Sequence, residues 1–292
     1  MLVREGYEVL LFTRNPDSVA KYFMVKMNAV EWDTKSPEKI VEHFKGKYAV
    51  INLAGESIGS KLWTKKQKNE ILRSRLIITT AITEAINLSA DKPVSVLQGS
   101  AIGFYGSQSD TQIDERSAKG KGFLADVVAA WEHAMNPISN DGMKIIYLRT
   151  GIVLGKNGGI LPLILLPFKF FMGGHTGNGK QWVSWIHISD VVQAMIFLLK
   201  NETATGLYNL TSPEPLRMKD FARLAGKALR RPSWFRIPAF VLRLLPNEMA
   251  DDLLLTSQRV IPERLMESGF QFNYKDAGSA LRDLVDKNKD HE

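Results

Sequence analysis

The stretch that decides the fold is Val94–Gly106, VSVLQGSAIGFYG. It begins as a run of β-branched and apolar residues and ends in small residues followed by a tyrosine. In an open α/β sheet, ligands bind in the crevice outside the carboxyl ends of the strands. Small residues at such an end let a flat cofactor approach the backbone, because little or no β-carbon stands in the way. We therefore predict a strand with a cofactor crevice at its end; the alternative is a buried strand followed by an ordinary glycine and serine turn.

Strands and helices alternate on both sides of this stretch. Short apolar runs predict strands at Tyr7–Thr13, Ala29–Asp33, Tyr48–Leu53 and Lys144–Arg149, and helical spacing predicts helices at Thr64–Leu88 and Phe123–Met135. Strands that alternate with helices at these intervals are typical of a parallel, doubly wound sheet. The predicted fold class is therefore α/β, with a Rossmann-like sheet.

The domain organisation follows from where this alternation loosens. From about residue 160 the chain becomes rich in glycine turns and short elements, which predicts a smaller lid region over the crevice. We assign residues 1–160 to a dinucleotide-binding domain to which 182–212 return, and residues 161–181 and 213–292 to the substrate and lid region.

Composition narrows the class of protein. The chain has 292 residues, a net charge of +7 and no cysteine, which excludes disulfides and thiolate metal sites. Its five histidines lack a metal-ligand spacing, so we expect no metal. The basic residues are mostly scattered, which suits an anionic ligand better than a specific nucleic-acid module. The most apolar run, Ile160–Met172, is too short to span a bilayer, and no signal-peptide core follows Met1. We expect a soluble cytoplasmic protein without a membrane partner.

The order of several motifs resembles a known family. The motifs are NLAGE (52–56), SRLIITTAITEAI (74–86), GSAIGFYG (99–106), LRTGIVLG (148–155), WVSWIHISDVVQAM (182–195) and SQRVIPERLMESGFQF (257–272). Together they resemble the extended, atypical short-chain dehydrogenase/reductases. More narrowly, they resemble the "epimerase family protein" group, whose members carry a C-terminal domain of unknown function of the DUF1731 type. The resemblance covers essentially the whole chain and implies such a domain at residues 240–288.

One departure from the family concerns the start of the sheet. Family members begin with a strand and a glycine-rich turn that holds the cofactor's pyrophosphate at a helix N-terminus. This sequence begins after that turn, and Met1–Gly6 is predicted to be the end of the first helix. We therefore expect a truncated start, a sheet without its first strand and weakened cofactor binding.

A second departure concerns the reaction chemistry. Related epimerases and reductases use a YxxxK pair, in which the lysine lowers the pKa of the tyrosine so that the phenol can transfer a proton. The matching helix here contains GFLADVVAAWE (122–132), without tyrosine or lysine. Phe123 or Leu124 stands at the position of the acid, and Val127 or Val128 at that of the lysine.

The cofactor-binding residues are predicted at the carboxyl ends of the strands. Arg14 would meet a 2′-phosphate, which favours NADP over NAD. Asp33 would meet the adenine edge or, alternatively, cap the following turn. Close backbone approach to the cofactor is predicted at Leu53, Ala54, Gly55 and Gly99, and contact with the nicotinamide end at Thr150, Gly151 and Ile152.

The catalytic and substrate residues are predicted near the same strand ends. Ser100 and Tyr105 would place catalytic hydroxyl groups at the rim of the crevice. The substrate pocket is predicted to include Glu56, Ser57, Gln181, Trp185 and His187. His187 could serve as a general base, although a structural histidine that fixes the loop before Ser189 is favoured. Ser189 and Asp190 are predicted to cap the helix that follows.

These predictions leave two functional classes open. The first is an NADP-dependent, epimerase-like oxidoreductase that acts on a small polar or sugar-like substrate. The second is a non-catalytic dinucleotide sensor or interaction protein that lacks the acid–base pair. Whether the chain is an enzyme therefore stays open. The expected partner is a small-molecule substrate, no specific nucleic acid is expected, and a homodimer is left open.

Overall fold

The computed structural model describes residues 1–19, 28–138, 142–156, 158–244 and 249–286. In chain order its strands are β1 (Leu10–Thr13), β2 (Asn28–Glu31), β3 (Ala49–Asn52), β4 (Ser95–Ala101), β5 (Gln112–Ile113), β6 (Lys144–Thr150), β7 (Ile152–Leu154), β8 (Gly174–Thr176), β9 (Trp182–Val183), β10 (Trp185–His187), β11 (Gly206–Leu210), β12 (Leu216–Arg217), β13 (Phe235–Ile237) and β14 (Arg259–Val260). The α-helices are α1 (Lys65–Leu88), α2 (Phe123–His133), α3 (Leu161–Lys169), α4 (Ile188–Lys200), α5 (Met218–Leu229), α6 (Ala239–Leu242), α7 (Glu263–Glu267) and α8 (Ala277–Val285).

A four-stranded parallel sheet in the order β11-β6-β4-β3 forms the centre of the molecule. Its middle strand β4 is apolar because both of its faces are covered. Val96 packs against the helix α1 on one face, where Ile82 is also buried. Leu97 packs on the other face with Leu198 of α4. The parallel order and the helices on both faces confirm the predicted α/β fold class.

The strands β1 and β2 form a separate parallel pair. Within the described ranges, no ladder of hydrogen bonds joins β1 to β3, so β1 and β2 lie in a different sheet from β3, β4, β6 and β11. Side chains hold the smaller sheet in place instead, since Phe12 packs against Trp32 and Phe44 in the core cluster that includes α1. The division leaves one edge of β1 and one edge of β3 without a partner strand in the described part of the chain.

The C-terminal segment folds back onto the central sheet. The strand β14 pairs in parallel with β5, and the helix α8 packs against α5 and β7. Asp190 in the first turn of α4 accepts hydrogen bonds from the backbone amides of Asn273 and Tyr274. The last part of the chain is therefore fixed to α4, α5 and β7 by hydrogen bonds and packing.

Three local predictions need correction. His187, and not Ser189, caps α4, because its Nδ1 accepts a hydrogen bond from the backbone amide of Ser189 at 3.2 Å. Asp190 is not a cap either, since its carboxylate binds the C-terminal segment. The helix α3 lies where the sequence indicated only an apolar run.

None of the helices in the described ranges combines the length and apolar character that crossing a bilayer demands.

Candidate functional site

The carboxyl ends of β1, β3, β4 and β6 carry most of the predicted cofactor residues. Arg14 follows β1 and lines a shallow cavity of about 380 Å³ together with Glu31, Trp32, Asp33 and Lys39. Its side chain is exposed and so can contact a ligand. A cationic side chain beside a small cavity fits the 2′-phosphate of NADP. No glycine-rich turn lies at this edge among the described residues.

Asp33 has a structural role, which is the alternative that the sequence left open. Its carboxylate accepts hydrogen bonds from the backbone amides of Lys35 and Ser36 and pairs with Lys39 at 2.9 Å. The Lys39 ammonium, helped by these amides, holds the pKa of Asp33 well below its usual range. Asp33 therefore caps the turn after β2 while it also lines the Arg14 cavity.

The end of β3 exposes its backbone at Leu53, Ala54 and Gly55. The amide of Ala54 donates to the side-chain oxygen of Asn52, which fixes the turn. A β-carbon at Gly55 would lie 3.1 Å from the side chain of Arg75, so this glycine makes room for the arginine. The exposed backbone remains a surface on which a ribose could lie.

Two predicted glycines are needed for internal packing. A β-carbon at Gly99 would lie 2.9 Å from the carbonyl oxygen of Asn52 and 3.0 Å from the ring of Trp131. At Gly151 it would lie 2.8 Å from the carbonyl oxygen of Ser184. These contacts alone require the lack of a side chain at both positions. The role of these glycines beside a cofactor stays a prediction. Thr150 at the end of β6 and Ile152 at the start of β7 flank Gly151, and both are half-buried.

Ser100 belongs to a buried polar network and does not lie at an open rim. Its hydroxyl donates to Glu132 of α2 at 2.6 Å. Arg149 of β6 donates to both oxygens of the same carboxylate, each at 2.8 Å. Burial opposes the charge of Arg149, but Glu132 and Tyr105 outweigh it, and the pKa of the guanidinium is raised. Arg149 therefore stays charged where it meets the Glu132 side chain.

Tyr105, expected at the rim, has 0% of its surface exposed. Its phenol donates to Asn209 at 2.8 Å and accepts from Arg149 at 3.1 Å. Burial raises the pKa of the phenol above its ordinary value, although Arg149 and Asn209 act in the opposite direction. Tyr105 thus remains protonated at neutral pH and has no surface for a substrate in this structure, which corrects its predicted position.

The helix α2 presents apolar residues where related enzymes carry the acid–base pair. Leu124 and Val128 lie against Gly103, 3.3 Å and 3.8 Å from the position of a β-carbon there. Glu132 lies on the same face two turns further along, because residues four apart share a face of a helix. The helix therefore supplies a carboxylate that binds Ser100 and Arg149, in place of a phenol and a lysine.

The predicted substrate residues do not all meet. Glu56 accepts hydrogen bonds from Lys61 at 3.0 Å and Gln67 at 3.3 Å, which lower the pKa of its carboxyl. Ser57 is exposed beside it. Trp185 is fully buried and donates to the carbonyl of Glu214. These positions put Glu56 and Ser57 near the end of β3, while Trp185 lies in the C-terminal core.

His187 is surrounded by protein. Its Nδ1 lies 2.7 Å from the hydroxyl of Ser189, and its Nε2 lies 3.3 Å from Asp283 of α8. The ring packs on Tyr274 with centroids 3.9 Å apart. This environment matches the structural histidine that the sequence analysis favoured over a general base.

Gln181 lines a second cavity, larger than the one beside Arg14, which we call the basic pocket. It has a volume of about 790 Å³, and its described lining residues are Ser109, Asp110, Gly177, Asn178, Lys180, Gln181, Arg217, Lys219, Arg236, Ala239, Arg243, Leu255 and Ser257. The sequence predicted Gln181 as a pocket residue but not the cations, because they come from segments far apart in the chain. No cluster of three or more potential metal ligands occurs in the part of the chain that the structure describes.

Comparison with known sequences extends these observations. A profile of the NAD dependent epimerase/dehydratase family matches residues 1–211, and one of a domain of unknown function, DUF1731, matches residues 237–284. The Bacillus subtilis protein "Epimerase family protein YfhF" is 35% identical, over 98% of this chain and 92% of its own length. The chloroplastic SDR39U1 homolog of Arabidopsis thaliana is 37% identical over 82% of this chain and 69% of its own length.

Solved structures agree with this assignment. The crystal structure of human epimerase family protein SDR39U1 with NADPH superposes with a TM-score of 0.87 at 28% identity, covering 97% of this chain and 92% of that one. A Thermus thermophilus UDP-glucose 4-epimerase in complex with NAD, 16% identical, shares the fold with a TM-score of 0.75 over 96% of this chain and 91% of that one. The chain belongs to the NAD dependent epimerase/dehydratase family, as its sequence motifs predict.

Proposed function

We propose that this protein is an NADP-dependent, epimerase-like oxidoreductase that acts on a small polar or sugar-like substrate. The observation that carries the proposal is the exposed Arg14 beside its cavity at the carboxyl end of β1. An acidic residue at this position would favour NAD, whereas an arginine can accommodate a 2′-phosphate. Similarity to the NADPH-containing structure of human SDR39U1 supports the same cofactor.

In this proposal, each strand end contacts a different part of the cofactor. Arg14 would hold the 2′-phosphate, and the exposed backbone of Leu53–Gly55 would lie beside the ribose. Thr150 and Ile152 would lie toward the nicotinamide end. NADPH supplies a hydride when bound. Residues 1–160 with 182–212 would form the cofactor domain, and residues 161–181 and 213–292 the substrate region.

A non-catalytic sensor or interaction protein is the second candidate, and a specific observation favours it. Leu124 and Val128 occupy the helix face that carries an acid–base pair in related enzymes, while Tyr105 is buried. Such a protein would bind NADPH without turning it over. Turnover of NADPH with a panel of small carbonyl compounds and sugars separates the two candidates. The homodimer and the absence of nucleic-acid partners stay predictions from the sequence.

The cofactor assignment is tested by titrating the protein with NADPH and NADH while tryptophan fluorescence is recorded. We expect tighter binding of NADPH than of NADH. Replacing Arg14→Ala should weaken NADPH binding by about tenfold or more, because a charge-assisted hydrogen bond contributes roughly 1.5–3 kcal/mol. NADH binding should change little, since NADH has no 2′-phosphate.

The control is Arg73→Ala, which removes an equally exposed arginine from α1. It should leave both titrations unchanged. Equal loss of NADPH and NADH binding in the Arg14 variant would contradict the role of Arg14. If the unchanged protein binds neither dinucleotide, the proposed function is wrong.

A further inference from the structure

A group of large apolar side chains is exposed around the start of β8 and the start of β13. Its members, which we call the aromatic patch, are Phe170, Phe171, Met172, Trp234 and Phe235, and between 51% and 76% of each is exposed. Single exposed apolar residues are ordinary on a protein surface, whereas a contiguous group of them marks a place where a protein or a membrane docks. The patch therefore calls for a partner.

The two segments of the patch are joined by hydrogen bonds. The strand β13 pairs in parallel with β8, and the amide of Phe235 donates to the carbonyl of Gly173 at 3.0 Å. The indole of Trp234 donates to the backbone carbonyl of Phe171, also at 3.0 Å. These bonds use polar atoms and leave the rings free to meet a partner. The side chains of the patch are thus held next to one another as one surface.

The helix α3 extends the patch. Leu163 and Leu166 are 64% and 48% exposed, and Phe170 follows directly after the helix. Residues three, four and seven apart share a face of a helix, so these three side chains lie on the same side. The other side of α3 is used internally, since Leu165 and Phe168 are buried. The helix therefore carries apolar residues on two faces, and the described part of the chain covers only one of them.

The backbone at Phe171 has a conformation that favours glycine. Its φ of 61° lies in the left-handed region, which is unfavourable for a bulky side chain. The ring contacts the guanidinium of Arg231 at 4.5 Å, yet 54% of the residue remains exposed. Residues held in such conformations concentrate at functional sites. The exposed ring of Phe171 is better explained by contact with a partner than by the packing of this chain.

The segments that form the patch carry positive charge alone. Neither aspartate nor glutamate occurs in residues 142–189 or in residues 221–247. Lys169, Arg230 and Arg231 are exposed and adjoin the patch along the chain. None of these three side chains forms an ion pair with another residue that the structure describes. A partner of this surface is therefore expected to be apolar in part and anionic in part.

This combination favours a lipid surface over a second copy of the chain. Tryptophan, phenylalanine and leucine beside lysine and arginine are the residues with which peripheral proteins enter the boundary between headgroups and acyl chains. Two copies that met through the patch would bring the same cations together, and like charges repel. The expectation of no membrane partner rested on the lack of a spanning segment, which a peripheral contact does not require.

We propose that the aromatic patch binds peripherally to a bilayer that contains anionic lipids. Phe171 and Trp234 would enter the boundary of the acyl chains, while Lys169, Arg230 and Arg231 would lie at the level of the headgroups. The inference goes beyond the proposed function and does not rest on it, because the patch shares no residue with the cavity beside Arg14.

The test is flotation of the full chain with vesicles of equal parts phosphatidylcholine and phosphatidylglycerol. We expect binding that weakens at high salt, because salt screens the contacts with the headgroups, and that is much weaker on pure phosphatidylcholine. The double variant Phe171→Asn, Trp234→Gln should bind about tenfold more weakly or worse, since two apolar side chains no longer enter the bilayer. Asparagine tolerates the left-handed conformation, so the fold is kept. The matched control is Leu62→Gln with Leu88→Gln, which changes two exposed leucines outside the patch and should bind normally.

A second pair of variants tests the part played by charge. Lys169→Gln with Arg230→Gln should bind the anionic vesicles about tenfold more weakly or worse, because each cation near an anionic surface contributes about fivefold. The control is Lys65→Gln with Lys66→Gln, which removes the same charge from exposed positions at the start of α1. Equal weakening in the two pairs would show an effect of overall charge and would overturn the proposal.

Other outcomes also decide the matter. The proposal is overturned if the anionic vesicles do not float the unchanged protein, or if the Phe171, Trp234 variant floats equally well. It is likewise overturned if analytical ultracentrifugation shows a dimer that this variant turns into a monomer while vesicles bind neither, since the patch then joins two copies. NADPH titrations should be the same for all variants. Failure of the unchanged protein to bind NADPH would overturn the proposed function and leave the membrane contact standing.

Discussion

At the scale of single residues, Arg149 is the most constrained charge in the site. Only 2% of its surface is exposed, and a buried charge is costly unless it is paired and hydrogen-bonded. The structure supplies both conditions, because Glu132 takes two of its hydrogen bonds and Tyr105 a third. The ring of Phe104 lies 3.5 Å from the guanidinium carbon and adds a cation–π contact.

Replacing Glu132→Gln should therefore destabilise the protein strongly. The change leaves the buried guanidinium without a countercharge, for which we expect a loss of about 3 kcal/mol in the free energy of unfolding. Urea unfolding followed by circular dichroism measures it. The control is Asp126→Asn, which breaks the exposed Lys119–Asp126 pair of the same region and should cost no more than about 1 kcal/mol. Equal losses in the two variants would contradict a special role of the buried pair.

The sequence located this network only in part. Ser100 and Tyr105 were found because they follow a predicted strand, but Glu132, Arg149 and Asn209 were missed. Their contacts join residues 17, 32 and 104 positions apart, which no local pattern reveals. Tyr105 was misplaced for the same reason, since its burial depends on β11 and on the C-terminal segment. The one signal in the sequence was the charged residue Arg149 at the end of the mostly apolar run KIIYLR.

At the scale of elements, the sequence predicted the regular parts well and the short ones poorly. The helix predicted at Thr64–Leu88 from its helical spacing agrees with α1 to within one residue. The helix α3 was not predicted, because its sequence contains Pro162 and Pro167 and proline usually interrupts a helix. Pro162 is tolerated because it lies in the first turn. Strands of two or three residues, such as β9 and β12, are too short for alternation to be recognised.

The start of α4 leads to a prediction about the C-terminal segment. Asp190 is fully buried and accepts three hydrogen bonds, two from backbone amides and one from the side chain of Asn273. Asp190→Ala leaves both amides without their acceptor, so we expect unfolding to become easier by roughly 2–4 kcal/mol. Asp190→Asn, which keeps one acceptor oxygen, should lose less. Urea unfolding ranks the three proteins, and an alanine variant as stable as the parent would refute the anchoring role.

At the scale of the whole molecule, the pair β1–β2 forms a sheet separate from the four-stranded central sheet. The pair β1–β2 carries the Arg14 cavity, while β3, β4 and β6 carry the rest of the proposed cofactor site. Side-chain packing around Phe12 and Trp32 connects them, and no ladder joins them within the residues that the structure describes. Units joined in this way can open independently, because local stability follows the number of buried contacts and backbone hydrogen bonds.

Amide hydrogen exchange should reveal this difference. We expect amides of β1 and β2 to exchange at a lower free energy than those of β4 and β6. Saturating NADPH should raise the protection of β1 and β2 most, since a ligand that binds only the closed form stabilises it. Uniform protection across all four strands would show instead that the two sheets open as one unit.

The contacts of the C-terminal segment have a consequence for the order of synthesis. Gln258 donates to the carbonyls of Ile102 and Gly106, and Ser257 bonds to Ser107, across about 150 positions of the chain. A protein made from its N-terminus folds its early parts first, and contacts of such separation form slowly. The loop after β4 is therefore translated early but acquires its final shape only once the segment from Ser257 onward has left the ribosome.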